Sequence, residues 1–215
     1  MILDRTNAPA FKQVEDIELL KTTPILLDNG LKVFKLNAGE QDIVRVEFVF
    51  ENVDWDVSKP LQAYAVNSLV VEGTSKLTAA DIAERVDFYG AFLQTDYTFD
   101  QSTITLYTLN KHLEATLPVV EEVLKDAVFP EEELETFIRN QKQKLSVNLE
   151  KNDFICRRAF NNRIFGDSKY GYIAGAEDYD KITRRDLIDY YKSAYQASNC
   201  TIIISGKVND DSIRL

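Results

Sequence analysis

The stretch QAYAVNSLVVEGTSKLTAADIAERVDFYGA, residues 62–91, decides how the chain is read. It opens as a helix, breaks at Gly73-Thr74, and resumes as a second helix that stops at Gly90. The second start is chemically explicit. Thr78 precedes Asp81 by three residues, the spacing of a capping box with Asp in place of Glu, in which hydroxyl and carboxylate each accept a backbone N–H. In the first helix Tyr64 and Ser68 are four residues apart and share a face, with Asn67 beside Ser68. Polar side chains at helical spacing raise the question of a site. The whole chain holds one histidine, His112, in LNKHLEA, where it reads as a surface residue near a helix start. Zinc centres recruit two or three imidazoles or several thiolates. One His with two scattered cysteines, Cys156 and Cys200, does not supply that set.

Upstream, PILLDNGLKVFKLNA places Asp28-Asn29-Gly30 between two short apolar runs, a hairpin signal. DIVRVEFVFENV alternates: Val44, Val46, Phe48 and Phe50 form one apolar face, and Ile43, Arg45, Glu47 and Val49 a wetter one. Ser58, ahead of Lys59-Pro60, is the expected N-cap of the first helix, which should run to Val71. Downstream, AFLQTDYTFDQSTITLYTL reads as two strands around a polar turn. Helices are expected over 110–126, 131–150 and 152–165, the second opened by Pro130-Glu131-Glu132-Glu133 with acids at the positive helix end. FGDSKYGYIAGAEDYDKI reads as a Gly- and Tyr-rich loop. Thr183 should cap a helix to Tyr195, and NCTIIISGKV is a closing strand with Cys200 as a buried thiol. The order predicts an α+β fold, a largely antiparallel sheet with helices layered on one side. Residues 1–22 read as a lead-in and 23–215 as a single domain.

Composition sets the outer limits. The chain has 215 residues, 45% apolar and 11% aromatic, enough to bury a sizeable core. Its net charge of −10 leaves no excess of Lys and Arg to neutralise phosphates, which argues against nucleic acid. No apolar run approaches the roughly 20 residues of a membrane span. The N-terminal segment shows no apolar core of a signal peptide, so the expected compartment is the cytoplasm, or the periplasm if the chain is processed.

Taken together, LDNGLKVF, EGTSKLTAADIAERVDFYGA, FPEEELE and the block from Tyr170 to Val208 resemble one half-subunit of the insulinase/pitrilysin family, the inverzincins that include mitochondrial processing peptidases. Active members carry H-x-x-E-H on the first helix, ahead of the Gly-Thr turn. Two imidazoles four residues apart grip Zn²⁺, and the Glu acts as base on the bound water. Counting back from Gly73-Thr74, the histidine positions fall on Tyr64 and Ser68 and the base on Asn67. A distal Glu ligand, counted on at the family's spacing, falls on Lys144. The resemblance therefore implies a non-catalytic member with no zinc cofactor. It implies pairing with an active peptidase subunit, or self-association, to form part of a peptide-binding chamber. Tyr97, Phe99, Tyr107, Tyr170 and Tyr172 are the candidate peptide contacts. The alternatives are a zinc-dependent metalloendopeptidase of the same family and a non-proteolytic binding or scaffold module.

Overall fold

The structure, a computed structural model, describes residues 11, 13, 19–52 and 54–208. Most of the lead-in read over residues 1–22 lies outside that range, as do residues 209–215.

Strands β1 (Ile25–Leu26) and β2 (Lys32–Asn37) form the expected hairpin, with Gly30 at a positive φ in its turn. Strand β3 (Ile43–Glu51) follows, then helices α1 (Gln62–Leu69) and α2 (Ala79–Phe88), then β4 (Phe92–Tyr97) and β5 (Gln101–Leu109). A short 3₁₀ turn at Asn110–His112 leads into α3 (Leu113–Asp126), α4 (Glu131–Leu149), α5 (Asn152–Phe165), α6 (Ala176–Asp180) and α7 (Arg184–Ala194). The chain closes on β6 (Cys200–Gly206).

The sheet has six strands in the order β1-β2-β6-β3-β5-β4. All neighbours are antiparallel except β2 and β6, which run parallel. The last strand thus enters the middle of the sheet. Its end is fitted there by Gly206, whose φ is +127° and whose Cβ, were there one, would lie 2.2 Å from the Ile43 carbonyl oxygen. The register stacks Val46 against Leu106 and Ile204, and Phe48 against Ile104 and Ile202. These side chains, with Val44 and Phe50, face the helix layer, as the alternation in residues 43–50 predicts. Val66 and Val70, Val120 and Val123, and Leu187 pack there fully buried.

Local chemistry sets the helix starts. Thr78 and Asp81 form the reciprocal capping box. Thr183 Oγ1 accepts the Asp186 N–H at 3.2 Å. Pro130 precedes α4, whose first turn holds Glu131, Glu132 and Glu133. Ser58 is not the cap of α1. That helix begins at Gln62 without a side-chain cap, because the Ser58 N–H donates to Asp56 Oδ1 at 2.8 Å and residues 56–60 form a turn instead. The stretch read as a continuous loop after Phe165 contains α6, which Asp178 nucleates by accepting the Gly175 N–H at 2.8 Å. Cys200 is buried, as expected for a residue opening a central strand. His112 sits half-buried, its ring 5.1 Å from that of Tyr89.

Candidate functional site

Helix α1 lies across β4 and β5, and its polar residues point into the molecule. Asn67 is 1% exposed. Its Nδ2 donates to the Tyr195 hydroxyl at 3.3 Å and to the Thr103 carbonyl at 3.4 Å. Tyr195 in turn stacks on Phe50 at 4.5 Å, and burial pushes its phenol up to about 12. Asn67 therefore ties α1 to the end of α7 and to β5. Tyr64 is one turn earlier. Its ring meets Tyr97 of β4 at 5.5 Å and Phe137 of α4 at 5.7 Å. Burial raises its phenol pKa, and a hydrogen bond with the Ser68 side chain partly offsets the shift.

Lys144 stands apart from this group. It is exposed on α4, two turns beyond Phe137 and so about 10 Å further along the axis. The α4 side chain that meets Tyr64 is the apolar Phe137, and Tyr179 of α6 joins the same neighbourhood, its own phenol raised by burial and then by Tyr64. Neither was singled out from the sequence, since Phe137 on a helix face reads simply as core and Tyr179 falls in a stretch that reads as loop.

The aromatic candidates divide three ways. Tyr97, Phe99 and Tyr170 join one string of rings that begins at Tyr64: Tyr97–Phe99 at 6.2 Å, Phe99–Tyr170 at 5.7 Å, then Tyr170–Phe165 at 5.7 Å. Burial pushes the Tyr97 phenol up to about 12. The Tyr170 hydroxyl donates to Asp100 at 2.5 Å, and Lys169 reaches the same carboxylate at 2.7 Å, so the loop before α6 is latched to the β4–β5 turn. Lys169 and Tyr170 together hold the Asp100 pKa below the usual carboxylate range. Tyr172 serves a different purpose. Its hydroxyl bonds to the buried Asp178 carboxylate at 3.1 Å and its ring abuts Trp55 at 5.7 Å. Tyr107 is on the opposite sheet face, paired with Phe92 and Arg45, whose guanidinium lies 5.3 Å from the Tyr107 ring centre. One residue of register separates the two sets, because neighbouring side chains along a strand point to opposite faces. The string of rings runs beside β4, the outermost strand at that side of the sheet.

Comparison with known proteins shows what this frame resembles. The profile described as the peptidase M16 inactive domain matches residues 181–214. The beta subunit of the mitochondrial-processing peptidase of Bos taurus is 21% identical over 199 residues, covering 90% of this chain and 40% of that protein. A peptidase M16 inactive domain from Pseudomonas fluorescens superposes with a TM-score of 0.84 at 20% identity, over 90% of this chain and 48% of that one. The periplasmic protease PqqL of Escherichia coli superposes at 0.78 with 16% identity, over 96% of this chain and 24% of that one. The chain is similar to M16 peptidases in sequence and shares their fold. It spans less than half the length of each of these three proteins.

Within the M16 frame, the residues present do not fit a zinc ion. Tyr64 is a phenol whose pKa burial raises further above its ordinary value, Ser68 is a neutral hydroxyl, and the Asn67 amide is committed to Tyr195 and Thr103. None is an imidazole, thiolate or carboxylate, the donors that hold zinc. Among the described residues, no three or more His, Cys, Asp and Glu side chains gather as ligands. No helix there is long and apolar enough to cross a membrane.

Proposed function

We propose that the chain is a non-catalytic M16 half that pairs with an active zinc peptidase of the same family and contributes to its peptide-binding chamber. The observation that carries this is the state of α1. At the positions that the resemblance gives to the ligands and the base, side chains pack: Asn67 is a buried strut, and the Tyr64 ring lies against Phe137 and Tyr97. Such a helix holds the sheet in the family's geometry without holding a metal. Pairing is what the resemblance to M16 inactive domains implies.

Peptide would add along the free side of β4. Backbone pairing at a sheet edge tolerates many sequences, which suits a chamber that receives unfolded chains. Phe99 and Tyr170, both exposed beside that strand's end, would then take apolar side chains of the peptide. The cytoplasm is the compartment proposed, with the periplasm as its alternative, and cell fractionation separates the two.

The test uses the purified chain and an M16 peptidase encoded in the same genome. Alone, the chain should cleave no unstructured peptide, with or without added Zn²⁺. Mixed with the peptidase, it should co-elute on a sizing column and change peptide turnover, and Phe99→Ala with Tyr170→Ala should weaken the peptide dependence. Chelator-sensitive cleavage by the chain alone would sink the proposal. So would a mixture that neither co-elutes nor alters turnover.

A further inference from the structure

Helix α5 has an outward face that nothing in the described fold covers. Its inward face is clear. Phe154, Arg158 and Asn162 follow at i, i+4 and i+8. The Arg158 guanidinium lies 5.3 Å from the Phe154 ring centre and donates to the Ala174 carbonyl, and Asn162 Nδ2 donates to the Gly171 carbonyl at 3.0 Å. The opposite side carries Cys156, Phe160 and Ile164 at the same spacing. Phe160 is 62% exposed and Ile164 54%. No residue of α5 is buried. Scattered exposed apolar residues are ordinary, but three in line on one helix face form a stripe of the kind that partner proteins cover.

Charge says what kind of partner. Over residues 151–165 four cations, Lys151, Arg157, Arg158 and Arg163, stand against one acid, Asp153, in a chain whose net charge is −10. Arg157 has only an exposed contact with Asp153, at 3.7 Å. The rest of the molecule is therefore strongly acidic. Among the described residues, Glu131, Glu132 and Glu135 at the start of α4 are exposed and pair with no cation. Two α5 helices packed on each other about a two-fold axis would oppose like charges, which is unfavourable. An α5 helix set against the acidic body of another copy opposes unlike ones.

We infer that the stripe Cys156–Phe160–Ile164, flanked by Arg157 and Arg163, is a docking face for the acidic surface of a second copy of this chain, in a head-to-tail contact. The contact is heterologous, since the two surfaces that meet are different. The inference does not depend on the non-catalytic reading, because α5 would present the same face if α1 held a metal.

Cys156 is a built-in reporter, exposed at the end of the stripe, while Cys200 is buried with its thiol pushed up to about 12. The experiment follows the pure full-length chain by sedimentation velocity over a concentration series at 50 and 500 mM NaCl, with thiol alkylation read in parallel. Self-association should weaken about tenfold at high salt, because screening shortens the reach of the charges. Cys156 should alkylate several-fold more slowly in the associated state. Arg157→Glu with Arg163→Glu, both at exposed positions, should abolish association without changing the circular dichroism spectrum. A chain that stays monomeric throughout would overturn the inference. So would association that leaves Cys156 freely reactive.

Discussion

Asn67 shows most plainly what α1 has become. It is fully enclosed, and its amide bonds to the Tyr195 hydroxyl and the Thr103 carbonyl, so removing it leaves the interior with fewer partners for buried polar groups. Asn67→Ala should lower unfolding stability by about 1–3 kcal/mol, the cost of stranding buried polar groups, and urea denaturation measures it. The same enclosure limits restoration of a metal site. Tyr64→His with Ser68→His supplies two imidazoles on one helix face, yet the base position remains an amide, and the α4 side chain that meets position 64 is the apolar Phe137. The double variant should therefore bind no stoichiometric Zn²⁺ and hydrolyse no peptide. Metal analysis after dialysis and a fluorogenic peptide assay check this, and clear zinc-dependent turnover would show that a third ligand had been overlooked.

At the scale of elements, the fold turns on how β6 is seated. It is the last strand among the described residues and pairs with β2 on one side and β3 on the other, so it joins residues 150 or more positions apart in sequence. Gly206 lets the strand end pass close under Ile43, in a backbone region that L side chains rarely adopt. Gly206→Ala should cost at least about 2 kcal/mol, since the strained φ and the clash with a backbone oxygen act together and the neighbour cannot move without breaking the β3–β6 pairing. The thermal midpoint is the readout, and an unchanged value would mean that the end of β6 relaxes freely. Helix starts are more local affairs. The Thr78–Asp81 box and the Thr183 cap are complete within four residues each, and neither needs the rest of the molecule to form.

The whole molecule has a tyrosine-rich interior, and this gives it a pH signature. Burial pushes Tyr97, Tyr191 and Tyr195 up to about 12 from an ordinary value of 10, raises Tyr190 as well, and lifts Cys200 to about 12 from 9. In the unfolded chain these groups lose their protons near their ordinary values, while in the folded chain they keep them. Their stabilising contribution is therefore complete below about pH 8 and is lost as pH rises toward 12, first for Cys200 and then for the tyrosines. Each tyrosine should steepen the loss between pH 10 and 12 by up to about 1.4 kcal/mol per pH unit. Urea midpoints at pH 8, 9, 10 and 11 should thus stay level at first and then fall. Tyr195→Phe, which removes the most enclosed of these hydroxyls, should flatten the fall. A midpoint that declines evenly from pH 8 would place the effect on surface charge instead.

Periodicity and capping chemistry determined much of this protein by themselves. The alternation over residues 43–50 marks the buried sheet face, Asp28-Asn29-Gly30 marks the hairpin, and Thr78 with Asp81 marks the start of α2, because each signal is complete within a few residues of chain. That Tyr64, Asn67 and Ser68 supply no imidazole was equally legible, since residue identity alone settles it. The failures were of two kinds. Ser58 had the right neighbours for a cap, but Asp56 accepts its N–H, a competition between two local motifs that sequence does not rank. The remainder was decided only by tertiary structure. Which strand lies beside β6, that Phe137 rather than Lys144 meets Tyr64, and that Tyr107 stands on the face opposite Tyr97 all depend on register between segments far apart in the chain. A shift of one residue in that register turns every side chain of a strand to the other face, and it is fixed by packing of the assembled core rather than by any local preference.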